Sequence, residues 1–322
     1  VRRAILPWLA AFGVALAAGA LTVVALNATL FGAGGFVQVY LDAVARGDAS
    51  AAMGLPGVEL PADGVSDVLL DDDALAGLSD IRQLSVVEQD GVHVVTFAWN
   101  SPGGRGQSTF QVERVGTRFG LFPEWGFAAP PVATLSVKVL HDQRFSVNDL
   151  AARTDEASSA PQQYAVLVPG SYRVGHDTRF LEADSITLLV GEVEVPVEAT
   201  VDVEPRPDFV DQVAAEVRAS LDSCVTQTVL FPTGCPIGRS FSNRIVSTPA
   251  WSMVEYPEIV LQPGVEFGTW QSVRDTGVAH LVVDVQSLFD GSITTFDEDV
   301  PFPVSYLVTI VSENELLILA QL

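Results

Sequence analysis

"GEVEVPVEATVDVEP", residues 191–205, is the cleanest alternation in this chain. Val193, Val195, Val197, Ala199, Val201 and Val203 fall on one side, and Glu192, Glu194, Glu198, Thr200, Asp202 and Glu204 on the other. A period of two marks a strand with one face buried and the other in water. Pro196 has no N–H for a ladder, so the strand is expected at a sheet edge or in two pieces. Before it, "VATLSVKVL" (132–140) and "QQYAVLVPGSYRVG" (162–175) also read as strands, the second pair turned at Pro169-Gly170. No long helical period interrupts this block, so residues 131–206 are expected to form a small β-sandwich.

Outward from that block the period changes on both sides. "GFVQVYLDAVARGDASAAMG" (35–54) places Val37, Tyr40, Leu41 and Val44 on one helical face, with Gly47 as a helix stop and Asp48 as the next N-cap. Four strand-like runs follow, at 81–89, 92–99, 107–115 and 118–128, with an Asp90-Gly91 turn between the first two. After Pro205-Arg206-Pro207 a helix is expected, with Asp208 as cap and Phe209, Val213, Val217 and Leu221 as its apolar stripe. Strand-like runs then continue to the end of the sequence. The expected fold class is therefore α+β: a helix-plus-antiparallel-meander, cone-like domain (32–130), a β-sandwich (131–206), and a second helix-plus-meander domain (207–322).

Residues 1–31 are expected to anchor this array. Arg2 and Arg3 precede an uncharged apolar run from Ala4 to Leu26. At about 1.5 Å per residue such a helix crosses a hydrocarbon core of roughly 30 Å. The arginine pair orients it with the N-terminus cytoplasmic and the C-terminal bulk outside. A cleaved signal peptide is the alternative, and it exports the remainder equally. Outside the cytoplasm disulfides persist. The chain has two cysteines, in "SCVTQTVLFPTGCPIG" (223–238), with no histidine near enough to complete a zinc site, so a Cys224–Cys235 disulfide is expected.

Forty acidic residues against 17 basic ones give a net charge of −23, spread along the chain. That balance argues against nucleic acid as a partner, which needs a basic footprint. The four histidines, His93, His141, His176 and His280, show no metal-ligand spacing, and neither Asp71-Asp72-Asp73 nor Asp297-Glu298-Asp299 matches a calcium loop. Both acidic runs read as solvated turns. No nucleophile motif and no phosphate-cradling glycine loop is present in the sequence. No catalytic, cofactor or metal residue is assigned. Phe97, Trp99, Phe110 and Trp125 are expected inside the first cone, as packed core or as the lining of a small apolar pocket.

"FVQVYLDAVARGDASAAMG" resembles the opening helix of extracytoplasmic domains with the ketosteroid-isomerase-like cone fold. "FGLFPEWGFA", "HDQRFSVN", "LVPGSYRV" and "CVTQTVLFPTGCPIG" resemble segments of uncharacterised single-pass membrane proteins of actinobacteria. The layout also resembles the teicoplanin-resistance-associated membrane proteins, although the zinc ribbon of that family has no counterpart here. The resemblance implies an envelope protein of actinobacteria and carries over no catalytic residue. The resulting expectation is a membrane-anchored binding or scaffolding protein without catalytic activity. Its partners would be an envelope protein, a peptide or a cell-wall component, with Glu194 and Glu198 on a candidate partner edge. The alternative is a cone-fold enzyme or small apolar ligand binder.

Overall fold

The computed structural model describes residues 2–28, 31–60, 64–118, 120–155, 159–193 and 197–321, and for residues 2–11, 26 and 28 only the backbone element. Helix α1 (Arg2–Ala28) precedes α2 (Ala33–Ala45) and α3 (Ala49–Met53). The i, i+3, i+4, i+7 spacing of α2 buries Val37, Tyr40, Leu41 and Val44. Gly47, at φ 69°, takes the left-handed position that ends the helix, and the Asp48 carboxylate accepts from the Ala51 N–H at 2.9 Å to cap α3. Strands β1 (Ser79–Gln89), β2 (Val92–Ser101), β3 (Gly104–Arg118) and β4 (Phe122–Phe127) form one sheet in that order. Val95, Phe97, Phe110, Val112 and Phe127 from this sheet pack on α2. The Tyr40 hydroxyl passes through that core and reaches the carbonyls of Val168 at 2.8 Å and Pro131 at 3.1 Å.

The middle of the chain carries β5 (Val132–Leu140), β6 (Arg144–Val147), β7 (Leu150–Arg153), β8 (Gln162–Leu167), β9 (Gly170–Asp177), β10 (Leu181–Val190), β11 (Val197–Asp202) and β12 (Glu204–Pro205). They form a five-stranded sheet, order β12-β10-β9-β6-β7, and a three-stranded sheet, order β11-β5-β8. Leu135, Val137, Tyr164, Val166 and Val201 of the smaller sheet share one buried cluster with Phe145, Val147, Tyr172 and Val174 of the larger. Strand β11 runs parallel to β5 at the edge of its sheet. Ala199 and Val201 are buried, and Glu198, Thr200 and Asp202 are exposed. Glu194 and Pro196 lie outside the described residues.

Helix α4 (Pro207–Val225) buries Phe209, Val213, Val217, Leu221 and Cys224. It begins two residues earlier than the sequence suggests. Pro207 takes the first helical position, where its missing N–H costs nothing, and Arg206 is the N-cap without a side-chain bond. Asp208 sits in the first turn instead, where its charge complements the helix dipole. Beyond α4 lie β13 (Arg244–Ile245), β14 (Ala250–Glu255), β15 (Leu261–Pro263), β16 (Thr269–Ser272), β17 (Asp275–Gln286), β18 (Ile293–Ser312) and β19 (Glu315–Gln321). The order is β13-β17-β18-β16-β15, with β14 on β17 and β19 on β18. The twenty-residue β18 pairs with β17 up to Val304, then with β16 and β19. At the changeover both Ser305 and Tyr306 are buried, and the Tyr306 N–H donates to Ser272 Oγ at 2.8 Å.

Two expectations need correction. Strand makes up 49% of the chain and helix 19%, in four helices, so the fold is mostly β and not an α+β array of helix-plus-meander units. Strands β6, β7 and β10 add to the β content where polar residues obscure the alternation, and the C-terminal sheet order departs from a meander. The second correction concerns the expected transmembrane anchor at Ala4–Leu26. Among the described residues no helix is long and apolar enough to cross a membrane. Residues 4–11 and Leu26 of that run lie outside the described side chains.

The central buried cluster crosses position 206 without a break, joining Val201 and Val203 to Phe209 and on to Val308. The first sheet is seated on it by the β2–β3 hairpin tip, where a Cβ on Gly103 would collide with Ser171, Thr187 and Leu189. Two fully buried tryptophans differ in one respect. Trp99 Nε1 donates to Ser108 Oγ at 2.9 Å, whereas Trp270 Nε1 has no protein acceptor. An orphaned buried polar group costs about 1–3 kcal/mol. Replacing each by Phe should therefore be asymmetric. Trp99→Phe orphans the Ser108 hydroxyl, while Trp270→Phe removes an orphan. In urea unfolding, Trp99→Phe should be the more destabilising by about 1–3 kcal/mol, and equal losses would contradict this account.

Candidate functional site

The interior between α2 and the first sheet is filled by side chains. Phe97 and Phe110 are buried, and the rings of Tyr40, Phe110 and Phe127 lie 5.1–6.1 Å apart. Trp99 and Trp125 do not meet inside a cone. Trp99 borders a 290 Å³ groove with Leu189, Gly191 and Val197. Trp125 donates from Nε1 to the Phe31 carbonyl at 2.8 Å and lines a separate 460 Å³ groove with Phe31, Phe36, Val39 and Phe122. The four aromatics thus form no common pocket.

The most elaborate polar arrangement lies on the five-stranded sheet, around an open cleft of about 450 Å³ lined by Arg173, His176, Asp177, Glu182, Asp184 and Arg206, among others. Its shape comes from a register shift between Ala183 and Ile186 where β10 pairs with β9. Gly175 permits the shift, because a Cβ there would stand 3.1 Å from Ser185. Arg206 reaches in from the start of α4. Its Nε donates to the Thr178 carbonyl at 2.8 Å, Nη2 pairs with Asp177 at 2.6 Å, and Nη1 with Glu182 at 3.0 Å.

His176 is a buried member of this lining. One ring nitrogen, Nδ1, lies 2.8 Å from the Arg144 carbonyl, and Nε2 lies 3.2 Å from Thr178 Oγ1. A carbonyl can only accept, so Nδ1 carries the proton. Burial holds the imidazole pKa below its ordinary value, which keeps the ring neutral at pH 7. Nearby, burial pushes the Asp142 carboxyl up, but hydrogen bonds from the Arg144 side chain and backbone N–H outweigh it and leave its pKa lowered. Asn148, at φ 52°, donates to the carbonyls of Ala74 at 2.6 Å and Ser171 at 3.0 Å, and accepts from the Arg173 N–H at 3.0 Å. Arg173 is the exception to this pairing. Among the described residues its guanidinium has no ion pair or hydrogen bond.

Other residues singled out by sequence are scattered. Cys224 and Cys235 form a disulfide at the end of α4, with Cα atoms 5.8 Å apart. The loop it closes is braced by Gln227, whose Oε1 accepts from the Thr233 N–H at 2.8 Å. Glu198 stands exposed on β11 and does not line the cleft. The acidic runs are not simple turns. Asp72 accepts from the Ala49 N–H at 2.8 Å, and Asp297 and Asp299 project from β18 around His280 of β17. The two ring nitrogens of His280 each lie 2.8 Å from one of those carboxylates. Sequence reading missed this triad because it depends on the β17–β18 register; the D-x-D spacing opposite a strand histidine was the only signal. Among the described residues no group of three or more His, Cys, Asp or Glu could hold a metal ion. No protein-family model matches the chain, and neither a curated protein nor a solved structure matches it.

Both ring nitrogens of His280 can serve carboxylates only when both carry protons. The hydrogen bonds that it donates to Asp299 and then Asp297 accordingly raise its pKa. A raised folded-state pKa adds stability that is complete below the unfolded value of about 6.5 and is lost as pH rises through the folded value. The stability difference between wild type and His280→Gln should therefore shrink as pH rises above about 6.5 through the alkaline range. A difference that stays flat or grows across that range would refute the clamp.

Proposed function

We propose that this chain is an extracytoplasmic binding or scaffolding protein of the bacterial cell envelope, without catalytic activity. The observation that carries the reading is the use made of the ionisable groups in the cleft. Arg206 directs its ion pairs and its Nε to Asp177, Glu182 and Thr178, and both ring nitrogens of His176 are engaged by Arg144 and Thr178. A general base needs a free lone pair aimed at substrate. Groups bonded to one another instead fix a rigid polar surface, from which Arg173 and Asp184 project. Such a surface suits the polar backbone of a peptide or a cell-wall glycan. The disulfide supports an oxidising compartment. The groove under Trp125 favours a second reading, a small apolar ligand held by Phe31, Phe36 and Phe122.

A photo-crosslinking residue at Arg173 in intact cells should capture an envelope component. Its binding to the purified protein should fall at least tenfold on Arg173→Glu with thermal stability unchanged. Turnover of a small substrate, abolished by Glu182→Gln or Asp184→Asn, would overturn the non-catalytic reading. Compartment has its own test. Cys224 and Cys235 should resist alkylation in freshly lysed cells until reductant is added. Replacing both by Ser should cost about 3 kcal/mol of stability for a loop of this size. Free thiols in the native protein would place it in a reducing compartment.

A further inference from the structure

Among the described residues most outermost strands of the sheets carry a recognised defence against pairing with another chain. Strand β1 has two register irregularities together with Arg82 and Glu88. Strand β4 contains Pro123, and Phe127 at its end donates to the Pro56 carbonyl. Strand β7 is four residues long and ends in Arg153, while β12 is two residues long and ends in Pro205. Strand β8 is covered by Ser66, which bonds to Gln163 and Ala165, and β11 carries Glu198 and Asp202. Strands β13 and β15 are two and three residues long, and β14 has a register irregularity and Glu255. Charges, prolines, bulges and short length are the devices by which sheets avoid edge-to-edge association.

Strand β19, "ELLILAQ", is an exception. It is seven residues long, has no proline, and carries its one charge at its first residue, Glu315. Among the described residues its only strand partner is β18. Leu316 and Ile318 pack toward the core, while Leu317 and Leu319 are 47% and 50% exposed. The sequence is also complementary to itself. In an antiparallel pair related by a twofold axis through Ile318, Leu317 of one copy lies opposite Leu319 of the other. Leu316 then lies opposite Ala320, and Glu315 opposite Gln321. Opposed residues share a face, so the buried side continues as buried and the exposed side as exposed.

We propose that β19 pairs with β19 of a second copy of this chain, extending β15-β16-β18-β19 into one continuous eight-stranded sheet across a twofold axis. A C2 interface of this kind uses one patch twice. A seven-residue strand buries less than about 1,200 Å², so the dimer is weak. The charge of −23 on each copy opposes it, and salt screening relieves that repulsion.

Sedimentation of the purified full chain tests this. The mass should rise toward twice the monomer value with concentration, and more steeply at high salt. Leu317→Lys with Leu319→Lys places like charges opposite each other and should leave a monomer. Leu317→Lys with Leu319→Glu places opposite charges at both contacts and should restore association to within about tenfold of wild type. These positions are exposed, and the circular dichroism spectrum reports whether each variant folds. A wild-type protein that stays monomeric at every concentration and salt would overturn the proposal, and that arm requires no variant. Equal association of the two double variants would also overturn it, as would growth beyond a dimer.

Discussion

The Arg206 guanidinium ties the start of α4 to the β9–β10 turn. Its backbone N–H donates to the Phe180 carbonyl at 2.8 Å, and its side chain reaches Thr178, Asp177 and Glu182. Those three lie at the β9–β10 turn, whereas Arg206 itself starts α4. One planar cation therefore sets the angle at which the C-terminal helix leaves the five-stranded sheet. Charge-assisted bonds to a rigid fork are directional as well as strong, which suits them to fixing orientation. Apolar burial does the rest, because Phe180 and Phe209 stack at 5.2 Å immediately beneath the ion pairs.

The first sheet is fastened by different means. Tyr40 spends its hydroxyl on Val168 and Pro131, both outside the first sheet, and burial raises its pKa well above the ordinary value. The ring is thus a neutral donor over the whole physiological range. Asn148 and the Gly103 hairpin tip make two further attachments on the same side of the middle sheets. The binding surface proposed above lies on a scaffold that is braced from both ends, and preorganised surfaces lose less entropy on association.

The legible parts of this architecture were those where one element states its own period. The four-residue spacing of Phe209, Val213, Val217 and Leu221 announced α4, and the Val/Glu alternation announced β11. The cysteine pair was readable because eleven residues and an exported context leave few other uses for two thiols. Relations between distant segments left no local mark. Arg206 stands 29 residues after Asp177, and their contact follows from a register shift in another strand pair. The Asp297 and Asp299 run looked like a solvated turn because nothing nearby in sequence reveals His280 as its cross-strand partner. Strands β6 and β7 were hidden by their brevity and by His141 and Asn148, non-glycine residues at positive φ that set the chain reversals. The apolar N-terminal run advertised a span, yet among the described residues no helix is long and apolar enough to cross a membrane.

The long strand β18 has a consequence for how this sequence can change length. Val300, Phe302 and Val304 face the core against β17, and the same alternation continues through Tyr306 and Val308. One residue gained or lost between Ile293 and Val300 turns every side chain between that point and the anchored end to the opposite face. The same indel beyond Ser312 falls in the β18–β19 turn and leaves both ladders in phase. Descendants of this sequence should therefore vary in length at that turn and stay fixed in length through the first half of β18.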